Sequence, residues 1–188
     1  MIQELKDNVF LYHGSYCEVQ IPELEKCAKY KDFGRGFYLT TAKAQAENFA
    51  KISTRKAIAN ETIGPKQRFG VISVFRFTMD DELLMKIYSA ADADWLHCVV
   101  GHRRKKYFSK SVQKLQNIDI VGGKIANDNT NATITTYMAG AYGEVGTKSA
   151  DDICISLLLP ERLEDQFCFR TPKALACITF VESEQIWL

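Results

Sequence analysis

The 188-residue chain lacks the features that would tie it to a membrane or to a strongly charged partner. No apolar run approaches the ~20 residues that span a bilayer, so we expect no membrane association. The formal net charge is only +1, so a nucleic-acid partner would need a local patch. The best candidate patch is HRRKKYFSK, His102 to Lys110, although such a run is also typical of a solvated helix end. With no low-complexity run and no evident linker, the length predicts one domain over residues 1–188.

The sequence also lacks the motifs of the common nucleotide and metal enzymes. It contains no Gly-x-x-x-x-Gly-Lys phosphate loop, no His-Glu-x-x-His and no Gly-x-Ser-x-Gly. DFGRGF, Asp32 to Phe37, has no third glycine and precedes a strand pattern, which excludes a Rossmann dinucleotide-binding turn. His97 and His102 are predicted on different faces of one helix, so they cannot share a metal.

Cysteine is present but forms no metal-binding or redox pattern. The six cysteines include no Cys-x-x-Cys pair and no Cys/His cluster at zinc spacing, so no metal site is predicted. Cys154, Cys168 and Cys177 lie in apolar runs, where a thiol packs as a small core residue. Because the N-terminus has no signal-peptide pattern, we expect reduced thiols and a cytoplasmic protein. Secretion by a specialised system is left open.

Helix and strand patterns follow one another irregularly, which predicts an α+β domain on a mixed or split sheet rather than a doubly wound parallel sheet. The near-continuous apolar content of Phe69–Thr78 predicts a central strand. The predicted strands are Asn8–His13, Phe37–Thr40, Phe69–Thr78, Ile118–Asp128 with a break at its Gly-Gly pair, Asp165–Thr171 and Ile178–Trp187. The predicted helices are Glu23–Tyr30, Thr41–Asn60 capped by Thr40 or Thr41, Asp80–Tyr88, Asp92–Lys106, Asn131–Tyr142, Ala150–Leu159 and Pro172–Ile178 capped by Thr171.

Two strand patterns carry a polar or aromatic side chain beside glycine. FLYHGS ends with His13 and Gly14, and GFYLT places Tyr38 two residues after Gly36. Either residue alone is more typical of packing, with His13 in a core hydrogen bond and Tyr38 on the sheet face. Together they suggest the walls of a pocket.

In order, LYHGS, KDFGRGFYLTT, DIVGGKIAND and DQFCFRT resemble a known pattern. YHGS followed by GFYLT and a helix resembles the histidine-tyrosine branch of the ADP-ribosyltransferase superfamily, which includes diphtheria-type toxins and poly-ADP-ribose polymerases. Over nearly all of the chain the pattern is similar to the bacterial domain-of-unknown-function family 3990. The resemblance implies an ADP-ribosyltransferase-like fold, with split mixed and antiparallel sheets around an NAD cleft and helices at the periphery.

The resemblance also implies an activity and its partners. NAD would be the substrate, with no metal, and the glycosyltransferase reaction would cleave its nicotinamide-ribose bond. ADP-ribose would pass to an acceptor that is left open among protein, nucleic acid and small molecule. Relatives of this kind are often toxins or defence effectors, so an antitoxin or effector partner is also left open.

Four residues near the first two motifs take roles from the resemblance. His13 would bond a ribose hydroxyl, and the Gly14 backbone would take the nicotinamide carboxamide, because no side chain blocks close approach. Ser15 would lie near the ribose, and Tyr38 would stack on the nicotinamide ring.

The remaining implied site residues lie in a loop and in a late strand. Gly36 would belong to the loop edging the site, and Arg35 would contact the pyrophosphate or, alternatively, face solvent. The third motif of the family is usually a glutamate, and Gln166 stands at the matching position here. Gln166 carries no charge and cannot act as a base. Glu164, two residues earlier, either supplies the carboxylate or is a polar loop residue, so a weak or inactive NAD-binding module is the alternative function.

Four further residues have a weaker pattern. Asn127 and Asp128 either reach the cleft or cap the next helix. Arg103 is a candidate phosphate contact, and Trp95 is predicted to anchor its helix in the core.

Overall fold

The computed structural model describes residues 5–125, 128–160 and 163–188, and its strands form two sheets. The strands are β1 (Phe10–Ser15), β2 (Phe37–Leu39), β3 (Phe69–Phe77), β4 (Met85–Ile87), β5 (Ile120–Lys124), β6 (Asp165–Phe169) and β7 (Ile178–Trp187). The helices of the described residues are α1 (Lys43–Ala59), α2 (Ala93–Arg103), α3 (Ser109–Gln113), α4 (Asp128–Met138), α5 (Lys148–Leu158) and α6 (Pro172–Ala176).

One sheet is antiparallel and the other is mixed. The first sheet has the order β1-β3-β7, so β3 is central, as its apolar run predicted. The second has the order β2-β6-β5-β4, in which β4 and β5 alone run parallel. The predicted α+β class with split mixed and antiparallel sheets is therefore confirmed.

The two sheets are joined where β1 passes β2. Tyr12 and Thr40 form an antiparallel bridge, in which each backbone N–H donates to the other carbonyl at 2.8 and 3.1 Å. Below this bridge, Phe37 packs edge-on against Phe75 with ring centroids 5.4 Å apart, and both rings are buried. The apolar core between the sheets therefore fixes β2 beside the end of β1 that carries His13.

Helix α1 lies unusually close to the first sheet because glycine occurs at both contacts. A Cβ at Gly14 would lie 2.1 Å from the Ala46 carbonyl oxygen, and one at Gly70 would lie 2.6 Å from that of Ala50. The helix presents small buried residues to these glycines, including Ala46 and Ala50. The helix begins at Lys43 and its N-cap is Ala42, so the predicted cap at Thr40 or Thr41 lies one or two residues early.

The helix predicted over Asp80–Tyr88 is wrong, because these residues form turns and strand β4. Asp80 accepts a hydrogen bond from the Glu82 N–H, which closes a turn instead of a helix. Leu84 then exchanges hydrogen bonds with Asp119 at the start of β5, so sheet pairing overrides the helical propensity of this segment.

Two other predictions need correction. The helix predicted over Glu23–Tyr30 is a single 3-10 turn, Leu24–Lys26, in an otherwise irregular segment. The Gly-Gly pair of Ile118–Asp128 does not break the strand, since β5 runs through it. A Cβ at Gly123 would lie 2.8 Å from the Phe33 ring and 3.0 Å from that of Trp95, so this glycine makes room for aromatic packing on the sheet.

Several local predictions are confirmed. Trp95 is fully buried, and Thr171 caps α6 by accepting a hydrogen bond from the Ala174 N–H at 3.1 Å. The cysteines predicted in the core, Cys154, Cys168 and Cys177, are buried. No helix in the described ranges is long and apolar enough to cross a membrane.

Candidate functional site

A large cleft opens beside the bridge between the two sheets. Its volume is about 1040 Å³, which is ample for a dinucleotide-sized ligand. Strands of both sheets, helix α1 and the irregular segment after β1 contribute to its walls. It brings together seven of the residues predicted from sequence: His13, Gly14, Ser15, Gly36, Tyr38, Arg103 and Gln166.

His13 is held at the cleft wall by the neighbouring strand. Its Nδ1 lies 2.9 Å from the Tyr38 carbonyl oxygen, and its ring lies against Phe37 with centroids 4.4 Å apart. Because a carbonyl only accepts, Nδ1 carries the proton in the neutral ring and Nε2 is left as an acceptor. Nε2 has no partner among the described residues. Burial lowers the pKa of His13 below its usual value, which favours this neutral form.

This pKa shift predicts a loss of stability on acidification. The unfolded chain takes up a proton at His13 near the usual pKa of 6.5, whereas the folded chain resists protonation. The unfolded state therefore binds more protons below this pH, and the free energy of unfolding falls as the pH falls. We expect His13→Gln, whose amide can still donate to the Tyr38 carbonyl, to lose less stability than the native protein between about pH 7.5 and pH 5.5. Urea unfolding at both pH values measures this, and identical losses would contradict the assignment.

Tyr38 has a hydroxyl that is fully engaged behind the cleft. The hydroxyl donates to the Gly34 carbonyl at 2.8 Å and accepts from the Phe33 N–H at 2.9 Å. Burial raises the pKa of Tyr38 well above its usual value, so the phenol stays protonated. The hydroxyl is therefore unsuited to proton transfer, and the ring is the part of Tyr38 that a ligand can contact.

Gln166 belongs to a chain of polar contacts that the sequence did not predict, and its inner members, Gln166 and Asp32, are buried. Its Nε2 donates to Asp32 Oδ2 at 2.9 Å, and Asp32 Oδ1 accepts from Arg103 at 2.9 Å (Nε) and 2.7 Å (Nη2). Arg103 in turn donates to Asn131 Oδ1 at 2.9 Å. All four residues line the cleft, and Asp32 is only 7% exposed. The structure therefore puts a carboxylate directly behind the carboxamide that replaces the expected glutamate.

The loop that carries Asp32 is anchored to the protein core. Phe33 is fully buried, with its ring against Gly123 of β5 and 6.2 Å from the ring centroid of Tyr88. Gly34 has a φ of +82°, which suits glycine and lets the loop turn at this point. The anchor fixes the position of Asp32 relative to Gln166.

Gly14 lines the cleft, but the reason for its lack of a side chain differs from the expected one. The Cβ position faces the backbone of α1, not a ligand, as the 2.1 Å contact with Ala46 shows. The glycine is therefore required for helix packing. Gly36 is similar, since a Cβ there would lie 2.4 Å from Cys168 Sγ.

Two predicted residues lie elsewhere. Arg35 is exposed outside the cleft, where its guanidinium donates to the Glu25 carbonyl. Glu164 is exposed and does not line the cleft. Asn127 lies outside the described residues. Across the described ranges, no group of three or more histidine, cysteine or acidic residues could hold a metal ion.

These features define an α+β protein whose two sheets are joined beside a large cleft. A family model matches residues 9–180, and that family is described as a protein of unknown function (DUF3990). The chain therefore belongs to this family, as the sequence pattern predicted. A search among curated proteins found no match to the chain.

Proposed function

We propose that the chain is an ADP-ribosyltransferase-like protein whose cleft binds NAD and cleaves its nicotinamide-ribose bond. One observation carries the proposal: His13, Tyr38 and Gln166 come from three strands in two sheets, yet all three line one open cleft. His13 and Tyr38 lie in the motifs that resemble the histidine-tyrosine branch, and Gln166 stands where the third motif usually has a glutamate. In this proposal the two sheets are the split sheets of the ADP-ribosyltransferase fold.

The side chains of the cleft suit the two ends of nicotinamide riboside. The Tyr38 ring offers a flat apolar face to the cationic nicotinamide ring, since its hydroxyl is already bonded to the loop. The neutral His13 ring offers Nε2 as an acceptor for a ribose hydroxyl. Both groups are preset by bonds to the protein, which reduces the ordering that a ligand must impose.

The carboxamide-carboxylate pair suits the charge that develops during cleavage. As the glycosidic bond breaks, its electron pair moves to the pyridinium nitrogen, nicotinamide leaves neutral, and positive charge grows on the ribose. Gln166 Oε1 would accept from a ribose hydroxyl while Asp32 behind it supplies negative charge. The acceptor then attacks the ribose and releases its proton. Arg103 holds Asp32 in place from the other side.

The alternative is a cleft that binds NAD or ADP-ribose without turnover. Two facts favour it: Gln166 carries no charge, and the nearest carboxylate is already paired with Arg103. Nicotinamide release separates the two functions, because binding alone produces none. The toxin-like role and its antitoxin stay predictions from the resemblance.

The test is release of nicotinamide from NAD by the purified chain, alone and with cell lysate as a source of acceptor. We expect release by the native chain and a loss of about 10²-fold or more in His13→Ala, which removes the ring that orients the ribose. Gln185→Ala is the matched control, because Gln185 is exposed on β7 and lies outside the cleft. Calorimetry with NAD measures binding independently of turnover.

The outcomes are distinct. Binding of NAD without nicotinamide release would favour the inactive module. Neither binding nor release by a folded native chain would overturn both functions. Release that is unchanged in His13→Ala would place the chemistry in another part of the molecule.

A further inference from the structure

A second pocket lies next to the cleft, and the described residues that line it include no acidic side chain. Its volume is about 380 Å³, and Tyr30 lines both it and the cleft. Cations converge on it from three segments of the chain; they are Lys29, Arg35, Lys105 and Arg170. A concave site lined by charges of one sign attracts a ligand of the opposite sign.

Arg170 is the cation of this pocket that has a buried polar atom without a partner among the described residues. Its Nη1 donates to the Leu115 carbonyl at 2.5 Å, whereas its Nε is buried and has no hydrogen-bond partner among the described residues. No carboxylate in the described ranges pairs with this guanidinium. A buried N–H without an acceptor is costly, and a bound anion would accept from it.

His102 adds a second unpartnered buried atom to the same pocket. Its Nδ1 lies 2.9 Å from the Cys98 carbonyl oxygen, so Nδ1 carries the proton of the neutral ring. Its Nε2 is buried and without a partner in the described part of the chain. A phosphate group can satisfy both residues, because its oxygens accept from Arg170 while a P–OH donates to His102. The phosphate is therefore a monoester in its singly protonated form, whose second pKa is about 6. A carboxylate, a sulfate ion or a phosphodiester has no such proton and meets only the first need.

Tyr30 adds an aromatic surface where the pocket meets the cleft. The side chain is 63% exposed, and Lys105 Nζ lies 5.8 Å from its ring centroid. An exposed ring beside a cationic groove is the arrangement on which nucleic-acid bases stack. The guanidinium of Arg170 also matches the geometry of phosphate oxygens.

We propose that this pocket binds the phosphate group of a nucleotide whose base contacts Tyr30, and that this nucleotide is the ADP-ribose acceptor. A nucleophilic oxygen or nitrogen of the nucleotide would bond to the ribose C1 as the C1–nicotinamide bond breaks, with nicotinamide leaving neutral and the proton of the nucleophile passing to water. The acceptor role rests on the proposed function, whereas the phosphate site does not. A free nucleotide and a strand with a 5′-phosphate present the same phosphate monoester here. His102 and Lys105 come from HRRKKYFSK, the run that the sequence singled out as a candidate nucleic-acid patch.

The binding test titrates the full chain with AMP and with a 5′-phosphorylated single strand of about ten nucleotides, by calorimetry without NAD. We expect Arg170→Gln and Lys105→Gln each to weaken binding by about tenfold or more, because each removes a charge-assisted contact. Lys105 is exposed, so its variant tests the site even if Arg170→Gln folds poorly. The matched control is Lys114→Gln, which removes an exposed cation outside the pocket.

Each result decides one part of the inference. Tighter binding of the strand than of AMP supports a strand as the source, and equal binding supports a free nucleotide. Binding that is lost in His13→Ala but kept in both pocket variants would put the nucleotide in the NAD cleft and overturn the site. If neither AMP nor the strand binds, the proposed phosphate site is overturned as well.

A second readout tests the acceptor role. We expect the bound nucleotide to raise nicotinamide release several-fold in the native chain and in Lys114→Gln, but not in Arg170→Gln or Lys105→Gln. Basal release that no nucleotide stimulates would overturn the acceptor role alone. Nucleotide binding without any nicotinamide release would support the phosphate site and count against the proposed function.

Discussion

Gln166→Glu is expected to destabilise the protein by about 2–3 kcal/mol near neutral pH, even though glutamate is usual at the matching position of the superfamily that the sequence resembles. The reason is Asp32, a residue that is only 7% exposed and whose Oδ2 lies 2.9 Å from the Gln166 amide nitrogen. A second carboxylate at that distance replaces a hydrogen bond by like-charge repulsion. Arg103 already serves Asp32 and cannot neutralise both groups.

The destabilisation has a defined pH dependence. Repulsion raises the pKa of the new glutamate in the folded state above the unfolded value of about 4.3. The folded state then binds more protons than the unfolded state, so the variant loses stability as the pH rises above this value. We expect the difference from the native protein to be small near pH 5 and large near pH 8, and urea unfolding at both measures it.

The exchanged pair is the decisive control. Asp32→Asn alone should cost about 3 kcal/mol, because it leaves Arg103 without its carboxylate. Combining Asp32→Asn with Gln166→Glu restores one carboxylate and one carboxamide, and we expect it to recover most of the summed loss. Gln185→Glu, which makes the same change on the exposed face of β7, should stay within about 0.5 kcal/mol of the native protein. If the stability losses of the two single variants simply add in the double variant, residues 32 and 166 do not interact.

The same variants carry an activity readout. If the pair supplies the negative charge for cleavage, Asp32→Asn should lower nicotinamide release by about 10²-fold. The exchanged pair should retain more release than either single variant. Equal release in the native chain and Asp32→Asn would exclude Asp32 from the chemistry while leaving its role in stability.

Gly14→Ala is the second change with a large expected effect, a loss of about 3 kcal/mol in the free energy of unfolding. The added methyl group would meet the backbone of α1, with the Ala46 oxygen at 2.1 Å and the Ala50 nitrogen at 2.8 Å. Backbone atoms cannot rotate aside as a side chain does, so helix and strand must separate. Because α1 also lines the cleft, we expect weaker NAD binding as well.

Gly64→Ala is the matched control for this variant. A Cβ at Gly64 would have no atom within 4 Å, so the same substitution adds a methyl group to open space. Thermal unfolding of both variants should show a large decrease for Gly14→Ala and little change for Gly64→Ala. A small effect at Gly14 would mean that α1 moves away from β1 at little cost.

Local patterns predicted much of the fold. The apolar run of β3 identified the central strand, and Thr171 followed by Pro172 identified the start of α6. The segment Asp80–Tyr88 was predicted as a helix because its composition favours one, but pairing of Met85–Ile87 with β5 depends on residues far along the chain. Propensity carries no information about such a partner.

The candidate site shows the same limit. His13 and Tyr38 could be found because each lies beside glycine in a short strand pattern. The pairing of Asp32 with Gln166 could not be found, because 134 sequence positions separate them. Arg103 joins Asp32 from yet another element, 71 positions away. No single segment contains a sign that these three residues share one buried chain of contacts.

The buried Phe33 ring has a consequence for the entropy of ligand binding. Its two neighbours in the chain both bond to residues that line the cleft. Asp32 accepts from Gln166, and the Gly34 carbonyl accepts from the Tyr38 hydroxyl. With this ring packed between Gly123 and Tyr88, the loop loses its conformational freedom when the chain folds, not when a ligand arrives. A ligand that binds at this wall therefore does not have to order the loop, because the conformational entropy of the loop is lost on folding.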